Sequence, residues 1–345
     1  MLATTDSSEL ERGKRYMKAI ARAHTNIALI KYWGKRDEEL FLPMNSSLSI
    51  TLDKFYTTTA VEFTEGLSED EFILDGVKAS RNETKKIGHF LDRIRKIAGS
   101  RSYARITSLN NVPTAAGFAS SASGYAALAA AATKALGLNL DERDLSMVAR
   151  QGSGSASRSI FGGFVEWQKG ENVDGSDSYS LPILDEKEWD LSILSALLVS
   201  KPKKVSSREG MKRTVETSPF YQGWLEAVEK DLMTAKTAIS RRDYELLGNV
   251  VEGNAFKMHA TTLGANPPFM YWQSGTLEVI QHVQEQRSRG IQAYCTIDAG
   301  PNVKVLCQRK DEKVVSEALQ SISVVKEVYQ CHPGPGVSYL NDLKS

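Results

Sequence analysis

The sequence predicts a two-domain α+β fold, and three observations carry that reading. The chain has 345 residues, more than one hydrophobic core usually serves. Strand-type and helix-type patterns are mixed in both halves. An apolar strand pattern at 191–200 follows a polar stretch at 170–180 and opens the second half, giving domains at 1–190 and 191–345.

Taken in order, residues 17–29 alternate loosely as a strand. The segment Ser47-Leu-Ser-Ile-Thr-Leu-Asp53 alternates strictly apolar with polar, the mark of a half-buried strand. Residues 55–63 are β-branched and aromatic, which suits a hairpin partner. Ile87, Phe90, Leu91, Ile94 and Ile97 lie at helical spacing and predict a helix over 81–98 with one apolar face. A strand at 103–109, an alanine-rich helix from Tyr125 to Leu136 ended by Gly137, and a helix at 141–150 follow. The Gly/Ser segment 152–163 leads into a strand at 164–169. The second half reads as a strand (191–200), long helices at 218–240 and 242–260, and a further helix at 274–289. Strands at 291–297 and 302–307 flank a turn, and a helix (312–321) and a strand (324–330) complete it.

Composition narrows the function classes. The chain is 41% hydrophobic and 25% charged with net charge +1, so nothing favours nucleic acid or an anionic membrane as partner. Anion binding must come from locally gathered cations. Cys295, Cys307 and Cys331 are odd in number and not in metal-ligand spacing, which suggests reduced thiols in a cytosolic protein. The polar first dozen residues lack a signal-peptide core, and no apolar run reaches membrane-span length. A soluble cytoplasmic protein is expected.

Five places carry candidate chemistry. In Pro113-Thr-Ala-Ala-Gly117-Phe-Ala-Ser120-Ser121-Ala-Ser123-Gly124, small residues precede the alanine-rich helix. Free N–H groups at a helix start favour phosphate, although the loop fits neither common phosphate-binding fingerprint. Lys31 and Lys35 bracket an aromatic pair, Tyr32-Trp33, and would reach one polyanion. Arg158 sits among glycines and serines, where its donor fork suits carboxylate or phosphate. Ser206-Ser207-Arg208 follows Lys201, Lys203 and Lys204 as a second basic, hydroxyl-rich loop. Asp298 precedes Ala-Gly-Pro between two apolar strands, where a carboxylate facing cations would stay ionised and orient a hydroxyl. Each has an ordinary alternative when taken alone: close helix packing, solvated lysines, a flexible hinge, a charge run, a turn aspartate.

Together these segments resemble a family. Pro-x-x-x-Gly-x-x-Ser-Ser-Ala resembles the ATP-binding motif of the GHMP kinases. Asn26-Ile-Ala-Leu-Ile-Lys-Tyr-Trp-Gly-Lys35, Asn45-Ser-Ser-Leu-Ser-Ile-Thr-Leu52, Gly152-Ser-Gly-Ser-Ala-Ser-Arg-Ser-Ile-Phe-Gly-Gly163 and Ile297-Asp-Ala-Gly-Pro-Asn-Val303 resemble the mevalonate diphosphate decarboxylases within that superfamily. The likeness runs from about Ala19 to Gly336. It departs at His24, where many relatives carry Pro, and it does not account for 170–180.

The resemblance implies an N-terminal ribosomal-protein-S5-like domain and a C-terminal ferredoxin-like domain with the site between them. It implies ATP- and Mg2+-dependent decarboxylation of mevalonate 5-diphosphate to isopentenyl diphosphate by a homodimer. By the same resemblance Asp298, Lys31 and Arg158 are catalytic, and Tyr32, Lys35, Ser153, Ser155, Ser207, Arg208 and Met211 bind substrate. Gly117, Ser120, Ser121, Ser123 and Gly124 hold the ATP phosphates, with Ser121 near the Mg2+. It leaves open whether Asp298 is a base or an orienting group. Related reactions on the same fold stay open too: a phosphomevalonate decarboxylase or a mevalonate 3-kinase. A nucleotide-binding protein without chemistry would show damage at Asp298, Lys31 or Arg158, and all three are intact. Stretches 66–86 and 200–210 are candidates for closing over ATP.

Overall fold

The structure, a computed structural model, describes residues 18–112, 120–198 and 204–343. The first half contains β1 (Lys18–Ile30), β2 (Lys35–Asp37), β3 (Leu42–Pro43), β4 (Ser47–Thr64), β5 (Glu71–Leu74) and β6 (Val77–Lys78). It continues with α1 (Arg81–Ala98), β7 (Tyr103–Asn111), α2 (Ser120–Ala135), α3 (Glu142–Arg150), a 3-10 helix (Gly154–Ile160), β8 (Phe164–Trp167) and β9 (Ser180–Leu184). The second half contains β10 (Leu191–Leu198), α4 (Ser207–Thr217), α5 (Tyr221–Arg241), α6 (Tyr244–Leu263), α7 (Ser274–Ser288), β11 (Ala293–Ile297) and β12 (Val303–Gln308). A short 3-10 turn leads to α8 (Glu312–Gln320), β13 (Val325–Cys331) and β14 (Ser338–Leu340).

The larger sheet has the order β14-β1-β4-β7-β5-β6, with β8 and β9 continuing from the start of β4. The smaller sheet, β11-β12-β10-β13, is antiparallel throughout. The mixed α+β architecture expected from the sequence is therefore present in both halves. One expectation fails: residues 47–64 form a single strand, not a hairpin. Asp53 and Lys54 resemble a turn but lack the glycine that a two-residue hairpin loop favours. Instead Asp53 and Lys54 bulge outward, and the register with β1 slips between His24–Tyr56 and Asn26–Thr51.

Helix α1 matches its pattern closely. Ser80 and Glu83 form a capping box and Gly99 closes the helix in the left-handed conformation. Phe90, Leu91 and Ile94 are buried, whereas Ile97, expected on the same face, is exposed. Helix α2 is already formed at Ser120, five residues ahead of the expected Tyr125. It is apolar on nearly every side because it is buried among β1, β4, α1 and α3, and alanine keeps these neighbours close. Ser207 and Arg208, expected in a basic loop, open α4, which Ser206 N-caps by accepting from the Glu209 N–H. The short strands β5, β6, β9 and β14 were not anticipated.

Three apolar clusters hold the molecule. One lies under the larger sheet around Phe63, Phe90 and α2. Another lies beneath the smaller sheet around Val279, Ile297 and Val305. The third joins the halves: Trp33, Leu48 and Phe164 pack with Tyr221, Trp224, Tyr271 and Tyr294. Both halves thus share one continuous core, and the groups at their junction are held rigidly. Among the described residues no helix is long and apolar enough to cross a membrane.

Candidate active site

The end of β1, the 3-10 helix and the β11–β12 turn converge at this junction. Lys31, the residue after β1, is buried, and its backbone is fixed from two directions. Its N–H donates to Asn254 Oδ1 (2.8 Å) and its carbonyl accepts from Asn45 Nδ2 (2.8 Å). The Lys31 ammonium donates to Asp298 Oδ1 at 2.7 Å and to the Ala28 carbonyl at 2.9 Å. The solvated lysine of the bland reading is excluded by this burial.

Asp298 terminates β11, and its side chain remains one-third accessible (33%). Burial pushes its carboxyl pKa up, but Lys31, Lys304 and Arg158 outweigh that and hold it at about 2. Burial in turn lowers the Lys31 ammonium, an effect that Asp298 opposes. At neutral pH Asp298 is a carboxylate with very weak basicity, suited to accepting a hydrogen bond.

Arg158 is not on a flexible hinge. The Gly/Ser segment winds into a buried 3-10 helix, and Arg158 is itself buried. Its Nη1 donates to Ser47 Oγ (2.7 Å) and its Nη2 to Asn26 Oδ1 (3.2 Å). Burial lowers its pKa to about 10, so it stays charged at neutral pH. Its Nε and the Tyr32 hydroxyl lack protein partners among the described residues, although both residues line the cavity. Buried donors of this kind ordinarily have a partner, which a bound ligand or water supplies. Gly154 makes the approach feasible, because a Cβ there would lie 2.6 Å from Trp167 and 3.2 Å from Tyr32.

These groups line a cavity of about 310 Å3 with Lys35, Ser153, Ser155, Ser207, Arg208 and Met211. Lys35 pairs with Glu38 (2.5 Å) and lies over the Phe41 ring, as does Arg208. Every proposed catalytic and substrate-binding residue therefore borders one space. Ser121 and Tyr125 lie on the wall shared with a second cavity, also about 310 Å3, lined by Ser120, Gly124, Thr57, Phe72, Leu74, Ile87, Ser108 and Asn110. Ser123 is buried, and its hydroxyl is hydrogen-bonded with Thr57 Oγ1 (2.8 Å), turning it toward the sheet. Gly117 and the rest of 113–119 lie outside the described residues, as do Lys201 and Lys203.

Several contributors were not singled out from the sequence. Asn26 links Arg158 to the Ser155 carbonyl (3.0 Å) and Ser159 Oγ (2.8 Å). Ser47, Asn45 and Asn254 anchor the cations, and Lys304 stands 3.8 Å from Asp298 Oδ2. Asn26 and Asn45 open two of the quoted motifs. Asn254 and Lys304 carry no local signal, since only the tertiary fold brings them in.

Two mixed layers meeting at a cationic cleft, beside a small-residue helix start, define a GHMP-kinase-type enzyme. Comparison with known proteins is more specific. Residues 23–180 match the diphosphomevalonate decarboxylase-like N-terminal domain, and residues 193–341 match the mevalonate 5-diphosphate decarboxylase C-terminal domain. The diphosphomevalonate decarboxylase of Bos taurus is 40% identical over 304 residues, covering 82% of this chain and 75% of its own. The solved mevalonate diphosphate decarboxylase of Staphylococcus aureus is 47% identical with a TM-score of 0.90, covering 94% of this chain and 98% of its own. A structure of MDDEF in complex with MVAPP, AMPPCP and magnesium is 50% identical with a TM-score of 0.89, covering 94% and 99%. The chain belongs to the diphosphomevalonate decarboxylase family.

Proposed function

We infer that this protein decarboxylates mevalonate 5-diphosphate to isopentenyl diphosphate at the expense of ATP. The observation that carries the reading is Asp298 held ionised between buried cations, on a cavity that Arg158 and four serines also line. A tertiary alcohol is crowded and a poor nucleophile, so positioning and charge supply most of the catalysis. In the first step the 3-hydroxyl oxygen bonds to the γ-phosphorus as the bond to the β,γ-bridging oxygen breaks, giving ADP, and the hydroxyl proton passes to an oxygen of the transferred phosphoryl group. The C3–O bond then breaks and inorganic phosphate leaves. The C1–C2 electron pair becomes the C2=C3 bond, and CO2 departs.

In this scheme Asp298 accepts the hydrogen bond of the 3-hydroxyl, and Lys31 keeps Asp298 ionised and favours charge on the moving phosphoryl group. Arg158 holds the C1 carboxylate until it leaves, fixed meanwhile by Asn26 and Ser47. Tyr32, Lys35, Ser153, Ser155, Ser207 and Arg208 bind the diphosphate end, and Met211 walls the apolar side. Ser120, Ser121 and Gly124, with Gly117 before them, serve the ATP phosphates from the start of α2, while Ser123, bonded to Thr57, ties that start to the sheet. The second cavity is suited to the nucleoside. Among the described residues no carboxylate or thiol cluster could hold a metal by itself, which fits a Mg2+ carried mainly by phosphate oxygens with Ser121 beside it. Bound there, Mg2+ would neutralise phosphate charge. The three cysteines are buried and unpaired, in keeping with a reducing cytoplasm, and a homodimer is the expected assembly, which light scattering would report.

Product analysis tests the reading. Incubation with ATP and Mg2+ and, separately, mevalonate, its 5-phosphate or its 5-diphosphate should yield isopentenyl diphosphate from the diphosphate alone, with one ADP per CO2. A 3-phosphorylated product without CO2, or preferred turnover of the monophosphate, would overturn it. Asp298→Asn should keep nucleotide affinity while turnover falls by about 10^3-fold or more. Comparable turnover in that variant would remove the role given to Asp298.

A further inference from the structure

Strand β12 reads Val303-Lys304-Val305-Leu306-Cys307, an apolar run with one lysine in it. Lys304 is buried, with 2% of its surface exposed, and pairs across β11–β12 with Thr296. An ammonium in such surroundings is costly to bury unless a charge faces it. Lys304 Nζ lies 3.8 Å from Asp298 Oδ2, on the oxygen opposite the one that Lys31 holds at 2.7 Å. The two distances differ in kind. The Lys31 contact is a short hydrogen bond that occupies Oδ1, whereas the Lys304 contact lies beyond hydrogen-bond length and acts through charge. Oδ2 is therefore held by the charge of Lys304 while Oδ1 is held by Lys31. Lys304 does not line the cavity, while Asp298 does, so Lys304 acts from behind the carboxylate and not on a ligand directly.

We propose that Lys304 is a positioning residue that fixes the Asp298 carboxylate from outside the cavity, with Lys31 on its other oxygen, so that it meets the substrate's tertiary hydroxyl in one orientation. The inference rests on the decarboxylase reading above and adds to it what holds the acceptor carboxylate in place. Four charged or titratable groups face this carboxylate: Lys31 after β1, Arg158 from the 3-10 helix, Lys304 from β12 and His259 from α6. Removing Lys304 removes one repulsive neighbour of Lys31 and leaves Asp298 to it.

Lys304→Met, which keeps the length and apolar stem, tests this in the full-length enzyme. The turnover number should fall about 10- to 100-fold through misalignment of the hydroxyl acceptor. The dissociation constant for mevalonate diphosphate, measured with a non-hydrolysable ATP analogue present, should change by no more than about threefold. The basic limb of the turnover–pH profile should move to higher pH, because Lys31 then loses its proton less readily. Lys304→Gln serves as a second variant if the methionine form does not fold. Unchanged turnover overturns the inference. So does a fall in turnover matched by an equal loss of substrate affinity with the basic limb unmoved. Wild-type enzyme that forms no isopentenyl diphosphate overturns the decarboxylase reading and this inference with it, whereas wild-type turnover with a silent Lys304→Met overturns this inference alone.

Discussion

At the scale of single residues, the site is a balance between burial and charge. Arg158 has a hydrogen-bond partner on each of two terminal nitrogens, and an ammonium would reproduce neither the fork nor its plane. Arg158→Lys is therefore expected to lower kcat/KM by about 10^2-fold, and steady-state kinetics with unchanged values would reduce Arg158 to a structural loop residue. His259 sets a second balance just behind Asp298. It is buried against Tyr271 and Trp272, shares a 3.2 Å hydrogen bond with the Ile297 carbonyl, and burial lowers its pKa to about 4. The folded pKa lies below the unfolded value, so the unfolded chain takes up the proton first as pH falls. Stability is then fully present above about pH 6.5 and is lost between there and pH 4, by roughly 3 kcal/mol at most. His24, also lowered by burial, acts in the same sense. Thermal midpoints should fall between pH 7.5 and pH 5, and replacing His259 with Phe should flatten that slope. A slope unaffected by the substitution would assign the effect elsewhere.

At the scale of elements, local chemistry decided what could be read from sequence. Helices α1 and α3 were legible because each begins with a capping residue, Ser80 or Asp141, and carries a clear apolar face. Helix α4 was not, since its sequence is polar and only Gly210 and Thr214 are buried. Its sole signal was Ser206 three residues before Glu209, which reads as easily as a basic loop. That cap now has functional weight, because Ser207 and Arg208 occupy the first turn it stabilises. Ser206→Ala should cost about 1 kcal/mol locally and raise the KM for the diphosphate substrate with little change in turnover. Equal KM values would separate the cap from substrate binding. The long β4 was misread for the converse reason: Asp53 and Lys54 resemble a turn, whereas the bulge is fixed by a partner distant in sequence, the His332 carbonyl that accepts from the Asp53 N–H (3.0 Å).

At the scale of the whole molecule, the site was legible as four separate motifs but not as a space. The motifs named Lys31, Arg158 and Asp298 and carried Asn26, Asn45 and Ser47 with them, whereas Asn254 and Lys304 come from positions without a motif. Their contacts span 223 residues in the case of Asn254 and Lys31. The most distant tie is the strap 332–340, which leaves β13 and returns to the larger sheet. Gly334 N donates to the Thr51 carbonyl (2.8 Å), Gly163 N to the Gly334 carbonyl (2.9 Å), and Val337 N to the Ile160 carbonyl (2.9 Å), before β14 pairs with β1. A Cβ on Gly334 would stand 2.3 Å from the Asp53 nitrogen. Gly334→Ala should therefore destabilise the protein by more than about 2 kcal/mol, with loss of turnover following from displacement of the Arg158 segment. A denaturation midpoint equal to wild type would show that the strap yields without consequence.

The strap also bears on how the protein is made. A ribosome releases residues 332–340 after every catalytic candidate, yet these residues complete backbone pairing beside Thr51, Ile160 and Gly163. A nascent chain that already displays both halves still lacks the edge strand of its first sheet and the support beneath its arginine. The larger sheet can be finished only after the smaller one has been synthesised, so maturation of the cleft awaits residues 332–340.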